Sequence, residues 1–492
     1  MLFLILLTVC AVLFLIKFKI YRNNYWKKKN VLQVDDLMWT FCFENRSMPE
    51  ICKTVYDKNH VEHIGTFLGN VPALMLKNVE DIQAVFATDF QSFHSRGIKT
   101  NPNDILADNL LFTNDFKKWK IIRKKLTPVF TSSKLKKMFV IMEKCARDLV
   151  EYVECNESMR TKPFRVLYTY TTGSIGASVF GIDTKTNKSS MNSPFLDMAW
   201  KSLQPSFKTL TSVLISNVFP KLFELLQLKI FGEHEEFFVG VVKNVLESRK
   251  NNPTPGHHDF IEVCLELQKN GVMKDLTNGY ELWPTDELLA AQAFFFFLAG
   301  ADTSANVMHF TLLELSSNPK ILEKLHAEID SVFQNGQKQL TYTDIEDMQY
   351  LDMVVNEAMR KYPPIGLIQR ICTSDTVLPS NIKIDKHTAI VIPVLAIHRD
   401  EKYYPNPDIF DPERFRSNNT CNINKYSYLA FGEGNRICIG PRFARLQVKA
   451  GLAWLLRRFT LNEQNYSPER FERSTFGLRD PEASYDLIPR EM

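Results

Sequence analysis

The segment FGEGNRICIG, residues 431–440, places Cys438 two residues after Arg436 and two before Gly440, with Phe431 and Gly434 upstream. A cysteine is most often a small buried hydrophobe. This one stands just before a helix expected from about Arg442 to Phe459, whose first N–H groups favour a thiolate over a thiol. Gly434 and Gly440 let the backbone turn and approach the sulfur closely, and Arg436 offers a fixed cation to a nearby carboxylate. Thiolate, close backbone and guanidinium together suit a metal ligand. Two further groupings could take part in chemistry or in holding it. Ala299 and Thr303, in AGADTS, are four apart on a predicted helix and share a face, and Asp302 points elsewhere. Glu357 and Arg360 are three apart, a spacing that usually makes only a weak surface pair.

Phe431, Gly434, Arg436, Cys438 and Gly440 match the FxxGxRxCxG signature of the cytochrome P-450 superfamily, which the chain resembles from one end to the other. Its texture is most similar to microsomal enzymes of the insect detoxification type. The resemblance implies a mainly α fold with small β-sheets, one large catalytic domain behind an N-terminal membrane anchor. It implies haem b (iron protoporphyrin IX) as cofactor with Cys438 as the axial thiolate, whose electron push favours O–O cleavage. Phe431 then packs on the haem beside the cysteine, and Arg436 pairs with a propionate. Ala299 and Thr303 resemble the oxygen-activation segment. The Thr303 hydroxyl, bonding back to the carbonyl of residue 299, is expected to open the helix into a groove for dioxygen and water, with Asp302 as the proton source. Glu357-Ala358-Met359-Arg360 resembles the ExxR element, and Pro412-Glu413-Arg414-Phe415 supplies the arginine that completes it. Those three residues are assigned to holding the ligand loop and not to chemistry.

The same resemblance gives Trp119 and Arg123 in WKIIR, Arg370, and Arg96 in SFHSRG to the haem propionates. His60 and His63 form HxxH without a third ligand nearby and read as surface residues, as do His257 and His258. Basic residues Lys117, Lys118, Lys120, Lys124, Lys125, Arg442, Arg445 and Lys449 suit docking of an acidic electron donor, which the resemblance names as NADPH-cytochrome P-450 reductase, with cytochrome b5 as a second donor. Pro205 to Ile230 resembles a membrane-dipping substrate entrance. The substrate, a lipophilic small molecule such as a xenobiotic, a hormone or a fatty-acid-like compound, would meet residues 97–115, Phe294 to Thr303, Ile365 to Gln369 and Thr475 to Gly477. Of Phe294 to Phe297, consecutive on a helix, only one or two can face it. Two other activities use the same cofactor: a reductase-independent isomerase or dehydratase, which can dispense with Asp302-Thr303, and a membrane-tethered haem protein that binds ligand without turnover.

The elements that must position these residues are mostly helices. The longest runs from about Thr285 to Leu315 and is apolar all round, as a helix buried on every side must be. Others are predicted from Pro319 to Phe333 and from Asp344 to Lys361, the second ended by Pro363-Pro364. Strands are predicted at His63 to Phe67, Ala73 to Leu76 and Thr388 to Pro393. The 492 residues, 45% hydrophobic, contain no repeat, low-complexity block or Gly/Ser linker that would divide them. The segment from Asn251 to Gly256 reads as a surface connection between helices. Nine cysteines without a CxxC argue against a disulfide scaffold or zinc ribbon. Residues 1–16 are apolar apart from Thr8 and are followed by Lys17, Lys19, Arg22, Lys27, Lys28 and Lys29. That order fits an uncleaved anchor over residues 1–29 in the endoplasmic reticulum membrane, with residues 30–492 on the cytosolic face. Those six basic residues exceed the whole net charge of +4, so the body is slightly acidic and shows no nucleic-acid footprint. The stretch after the anchor is poor in proline, unlike the usual hinge of the family.

Overall fold

A computed structural model describes residues 21–182, 194–203, 207–252, 259–277, 279–333, 339–421, 423–464, 466 and 471–491. The apolar run of the expected anchor, Pro205, most of the Asn251–Gly256 connection and His257-His258 lie outside the described residues. The helices that build the site are α1 (Phe116–Leu126), α2 (Ser132–Cys155), α3 (Pro163–Phe180), α4 (Pro194–Leu203), α5 (Glu235–Asn251), α6 (Asp286–Ser317), α7 (Pro319–Val332), α8 (Tyr342–Asp347), α9 (Gln349–Lys361) and α10 (Pro441–Arg458).

The spine is α6. Thr285 caps it by accepting from the Leu288 N–H at 3.2 Å, and Asp286 and Glu287 favour its positive end. Its apolar residues face outward in all directions because α3, α5, α9 and α10 pack around it. Among the described residues it is the one helix long and apolar enough to cross a membrane, yet 72% of its most apolar stretch is buried inside the protein, as a core helix requires.

The predicted helix from Asp344 to Lys361 is two helices. Met348 adopts φ −68°, ψ 85° between α8 and α9, and Thr341 with Asp344 forms a separate capping box for α8. The local pattern could not show this, because both pieces carry helix-forming residues and the break is one residue wide. A five-stranded sheet has the order β1-β2-β3-β5-β4, with β1 at Leu32–Gln33, β2 at His63–Leu68, β3 at Val71–Leu76, β4 at Ile368–Ile371 and β5 at Ala389–Ile392. β3 pairs parallel with β5, and β5 antiparallel with β4. The whole is one large, mainly helical domain with two cores, one among the helices and one under this sheet. Ala430 and Phe431 pack on the first, while Tyr426 and Leu429 belong to the second.

Two surface assignments are corrected. His63 Nε2 lies 2.5 Å from Asp81, a carboxylate with no exposed surface, because β2 runs beside the short helix that carries it. His63 is therefore half of a partly buried pair. Lys449 is buried on the inner side of α10, its ammonium 4.0 Å from Asp352, and burial holds its pKa below the usual lysine range.

Candidate active site

One cavity of about 510 Å³, mostly apolar, is lined by every candidate site residue: Arg96, Trp119, Arg123, Ala299, Asp302, Thr303, Arg370, Phe431, Arg436 and Cys438. The ligand loop closes on itself before it reaches α10. Cys438 N–H donates to the Phe431 carbonyl at 2.9 Å and Ile437 N–H to Gly434 at 3.0 Å. Gly434 is needed for a reason other than sulfur: its φ is +75°, and a Cβ there would collide with the Phe86 carbonyl oxygen. Gly440 has an ordinary φ of −117° and serves as the N-cap of α10, with its N–H on the Cys438 sulfur. The Cys438 side chain is exposed, and the space it meets is this cavity.

Burial pushes the Cys438 thiol up, while the Gly440 N–H, Arg123 and Arg96 pull the other way. The helix start therefore contributes as expected in direction but does not by itself secure a thiolate. A Lewis-acidic metal at the sulfur would supply what remains.

Behind the loop lies a hydrogen-bonded scaffold. Arg360 grips Glu357 through two bonds, Nε to Oε2 at 2.7 Å and Nη2 to Oε1 at 2.8 Å, with both side chains fully buried. Arg360 also donates to the carbonyls of His398 at 2.9 Å and Pro407 at 2.8 Å, while Glu357 accepts from the Asp411 N–H at 2.9 Å. Arg414 adds a looser contact, Nε to Glu357 Oε1 at 3.5 Å. The sequence reading missed His398. Its Nδ1 meets the Arg360 carbonyl at 3.1 Å and its Nε2 accepts from the Leu429 N–H at 2.7 Å, so one neutral imidazole ties this scaffold to the ligand loop. Burial, with Arg360 beside it, lowers its pKa to about 3.

On α6 the Thr303 hydroxyl donates to the Ala299 carbonyl at 2.6 Å, and Asn306 repeats the pattern one turn on, Nδ2 to the Asp302 carbonyl at 2.8 Å. The expected opening of the helix does not occur. The helix is continuous from Asp286 to Ser317, since a carbonyl oxygen has two lone pairs and accepts the hydroxyl without releasing its amide. Asp302 turns toward Arg479, Oδ1 to Nε 3.4 Å, and burial raises its pKa. Arg479 is a partner that no spacing in the sequence could reveal.

The arginines come together through the sheet edge. Ser95 bridges Ile371, bringing Arg96 beside Arg370, and Arg436 donates to the Thr113 carbonyl at 3.1 Å with its guanidinium 4.8 Å from the Trp119 ring. Burial lowers the pKa of Arg96 to about 10 and that of Arg370 well down, where Arg96 and Arg436 add repulsion. Among the described residues no carboxylate pairs with Arg96, Arg123, Arg370 or Arg436, and guanidinium nitrogens of Arg96, Arg370 and Arg436 are buried without a hydrogen-bond partner. Cations left in this state call for an anionic ligand. A flat apolar cofactor with carboxylate groups and a metal for Cys438 fits the donor set.

Of the phenylalanine run, Phe295 and Phe296 line the cavity, while Phe294 and Phe297 pack on Phe238 of α5 at 4.8 and 5.3 Å. Ile98, Leu110, Phe112, Ile365, Ile368 and Phe476 contribute from the predicted loops. Gln292, also missed, pins one of them: its side chain accepts from the Leu110 N–H and donates to the Asp108 carbonyl, both at 2.9 Å. The entrance segment ending at Ile230 contributes no described residue to the lining. Its end is tied to the Gly97–Asp115 loop, with the Ile230 N–H on Asp104 Oδ2 at 2.6 Å.

The cytochrome P-450 family profile matches residues 37–487. Cytochrome P-450 6k1 of Blattella germanica is 32% identical over 477 residues, covering 92% of this chain and 90% of its own. Cytochrome P-450 6B6 of Helicoverpa armigera is 30% identical over 486 residues, 95% of each chain. Probable cytochrome P-450 6a13 of Drosophila melanogaster is 35% identical over 423 residues, 84% of this chain and 83% of its own. With a cavity fit for a dianionic, cysteine-held cofactor and relatives matched along nearly all of its length, the chain belongs to the cytochrome P-450 family, oxidoreductases that work as monooxygenases on haem b bound through a cysteine thiolate.

Proposed function

We propose that the chain is a microsomal monooxygenase of lipophilic compounds in which Cys438 ligates the haem iron and Arg96, Arg123, Arg370 and Arg436, with Trp119, hold the propionates. The observation that carries this reading is the group of four arginines without carboxylate partners among the described residues, in a cavity that Cys438 also lines. When bound, the haem supplies reductive activation of dioxygen, one atom going to substrate and the other leaving as water. The chain's own part is to orient and to supply protons. Phe431 would flank the cofactor, with the Arg445 guanidinium 5.3 Å from its ring. Ala299 leaves room beside α6, Thr303 holds a proton at its hydroxyl, and Asp302 is its source.

The apolar lining favours a lipophilic substrate. Membrane contact is supported by exposed side chains outside residues 1–29: Trp39 and Phe43 on the helix Leu37–Phe43, and Phe219, Leu225 and Leu226 at the helix Pro220–Leu225. With the anchor these favour the endoplasmic reticulum membrane and a cytosolic body. Lys117, Lys124, Lys125 and Arg442 stay exposed and free of ion pairs among the described residues, a surface suited to an acidic donor such as NADPH-cytochrome P-450 reductase or cytochrome b5. Lys118, Lys120 and Arg445 instead pair with Asp108, Asp275 and Asp352.

The test is the reduced protein with carbon monoxide. A red-shifted Soret band that disappears in Cys438→Ala is expected; a histidine-type band, or a thiolate band that survives the substitution, rejects the assignment.

A further inference from the structure

Behind Asp302, α3, α6 and the C-terminal loop enclose polar atoms that the protein does not satisfy. Asp302 Oδ1, the Thr172 hydroxyl, Arg479 Nε and Glu472 Oε2 are all buried without a hydrogen-bond partner among the described residues. Arg479 stands between two carboxylates, its Nε 3.4 Å from Asp302 and its Nη1 3.3 Å from Glu472, bonded well to neither. Buried groups in this condition are ordinarily satisfied by ordered water.

A second cavity, of about 180 Å³, opens between α2, α3 and α4 and is lined by Tyr152, Arg165, Tyr168, Asp197 and Trp200 among others. At roughly 30 Å³ each it has room for several waters. Tyr168 is among its walls. On the outer side its ring meets Trp200 edge-on, centroids 4.7 Å apart. On the inner side it lies 6.4 Å from the ring of Phe164, which carries the Arg479 guanidinium at 5.7 Å. The phenol is within the electrostatic reach of Asp302 and Arg479 and lies against the Thr172 hydroxyl. Tyr168 thus lines the outer cavity and interacts with the carboxylate that lines the main one.

We propose that this outer cavity is the proton inlet of the enzyme, water there supplying Asp302 through the Tyr168 hydroxyl and water held by Thr172 and Arg479. The proposal rests on the monooxygenase reading and adds the route to it. In each transfer a proton from outer water forms an O–H bond to the Tyr168 oxygen while the proton already there leaves inward. A carboxylate oxygen of Asp302 takes the relayed proton and passes it toward Thr303, and the outer water regains one from bulk solvent. A hydroxyl both donates and accepts, so the phenol stays neutral throughout. That suits a tyrosine whose burial pushes its pKa well above the usual range. Arg479 is a positioning residue, holding Asp302 toward the inlet.

Tyr168→Phe removes the relay and keeps the ring contacts; Thr169→Trp fills the outer cavity from its own wall. Deuterium exchange at the Asp302 carboxyl can be read from its C=O stretch in resting holoenzyme in mildly acidic buffer, with Asp302→Asn for assignment. Exchange should slow about tenfold or more in both variants. Peroxide released per NADPH oxidised should rise with it, while the carbon monoxide band and the substrate-induced spin shift stay as in the parent. A normal band with unslowed exchange in either variant overturns the inlet. Loss of the thiolate band in the parent protein would instead overturn the reading beneath it.

Discussion

The scaffold behind Cys438 and the turn of α6 around Thr303 are both largely buried and polar, but they are finished differently. Glu357, Arg360 and His398 spend their hydrogen-bonding groups on one another and on carbonyls and amides of the loop they support. Around Thr303, by contrast, Asp302 Oδ1, Ser304 Oγ, Asn306 Oδ1 and His309 Nδ1 are left without partners. A satisfied buried network fixes a unique geometry, which a metal ligand needs. An unsatisfied one takes water and can move a proton, which the oxygen side needs. The difference teaches that burial alone does not separate a structural polar group from a chemical one; satisfaction does.

Breaking the scaffold should have the largest effect. Glu357→Ala leaves the Arg360 guanidinium buried without its carboxylate, a loss of about 3–5 kcal/mol, and should abolish haem retention, measured by denaturant unfolding and by the pigment-to-protein ratio. Acid should weaken the same region next. The His398 imidazole, faced by Arg360 and Arg399 and stacked on Tyr428, is neutral in the fold, with a pKa of about 3 against an ordinary 6.5. The unfolded chain binds the extra proton and the fold does not, so stability from this group is complete above about pH 6.5 and falls toward pH 3. The slope approaches roughly 1.4 kcal/mol per pH unit. His398→Gln should flatten that limb in unfolding curves taken between pH 6 and 4.

The Thr303 turn of α6 should answer in the opposite way. Thr303→Ala removes a hydroxyl that bonds only its own helix, so stability should change by about 1 kcal/mol or less, while product formed per NADPH falls roughly tenfold or more and peroxide rises. Equal coupling in the variant and the parent would erase the contrast between the regions. The smallest effect belongs to Arg414→Lys, whose contact with Glu357 is loose at 3.5 Å: about 1 kcal/mol or less, with the haem spectrum unchanged.

Much of this was legible in the sequence because it is local. The ten candidate residues that line the cavity were named from short segments, and α6, α7, α10, β2, β3 and β5 follow from periodicity, caps and proline to within a residue or two, whereas β1 and β4 were not foreseen. What escaped depends on contacts distant in sequence. His398 has no motif of its own and acquires its role only where Leu429 reaches it. Arg479 meets Asp302 from the C-terminal loop. Lys449 reads as one more cation on a basic helix, and only the packing of α10 turns it inward. The continuity of α6 at Thr303 was missed for a different reason: the side-chain bond was foreseen, but not that one carbonyl can serve both donors.

The ligand loop joins the two cores, with Leu429 on the sheet side, Phe431 on the helical side and Gly434 against Phe86. Seen in time, this makes the cofactor cradle a late event. At the roughly 5–20 residues per second of protein synthesis, Cys438 is made some 20–90 s after the first residue. Arg96 and Trp119 must wait through about three quarters of that interval before the strand of chain that completes their site exists, and contacts of such separation are slow to close. Haem capture that uses Cys438 therefore cannot precede the synthesis of this loop, however early the first half begins to fold.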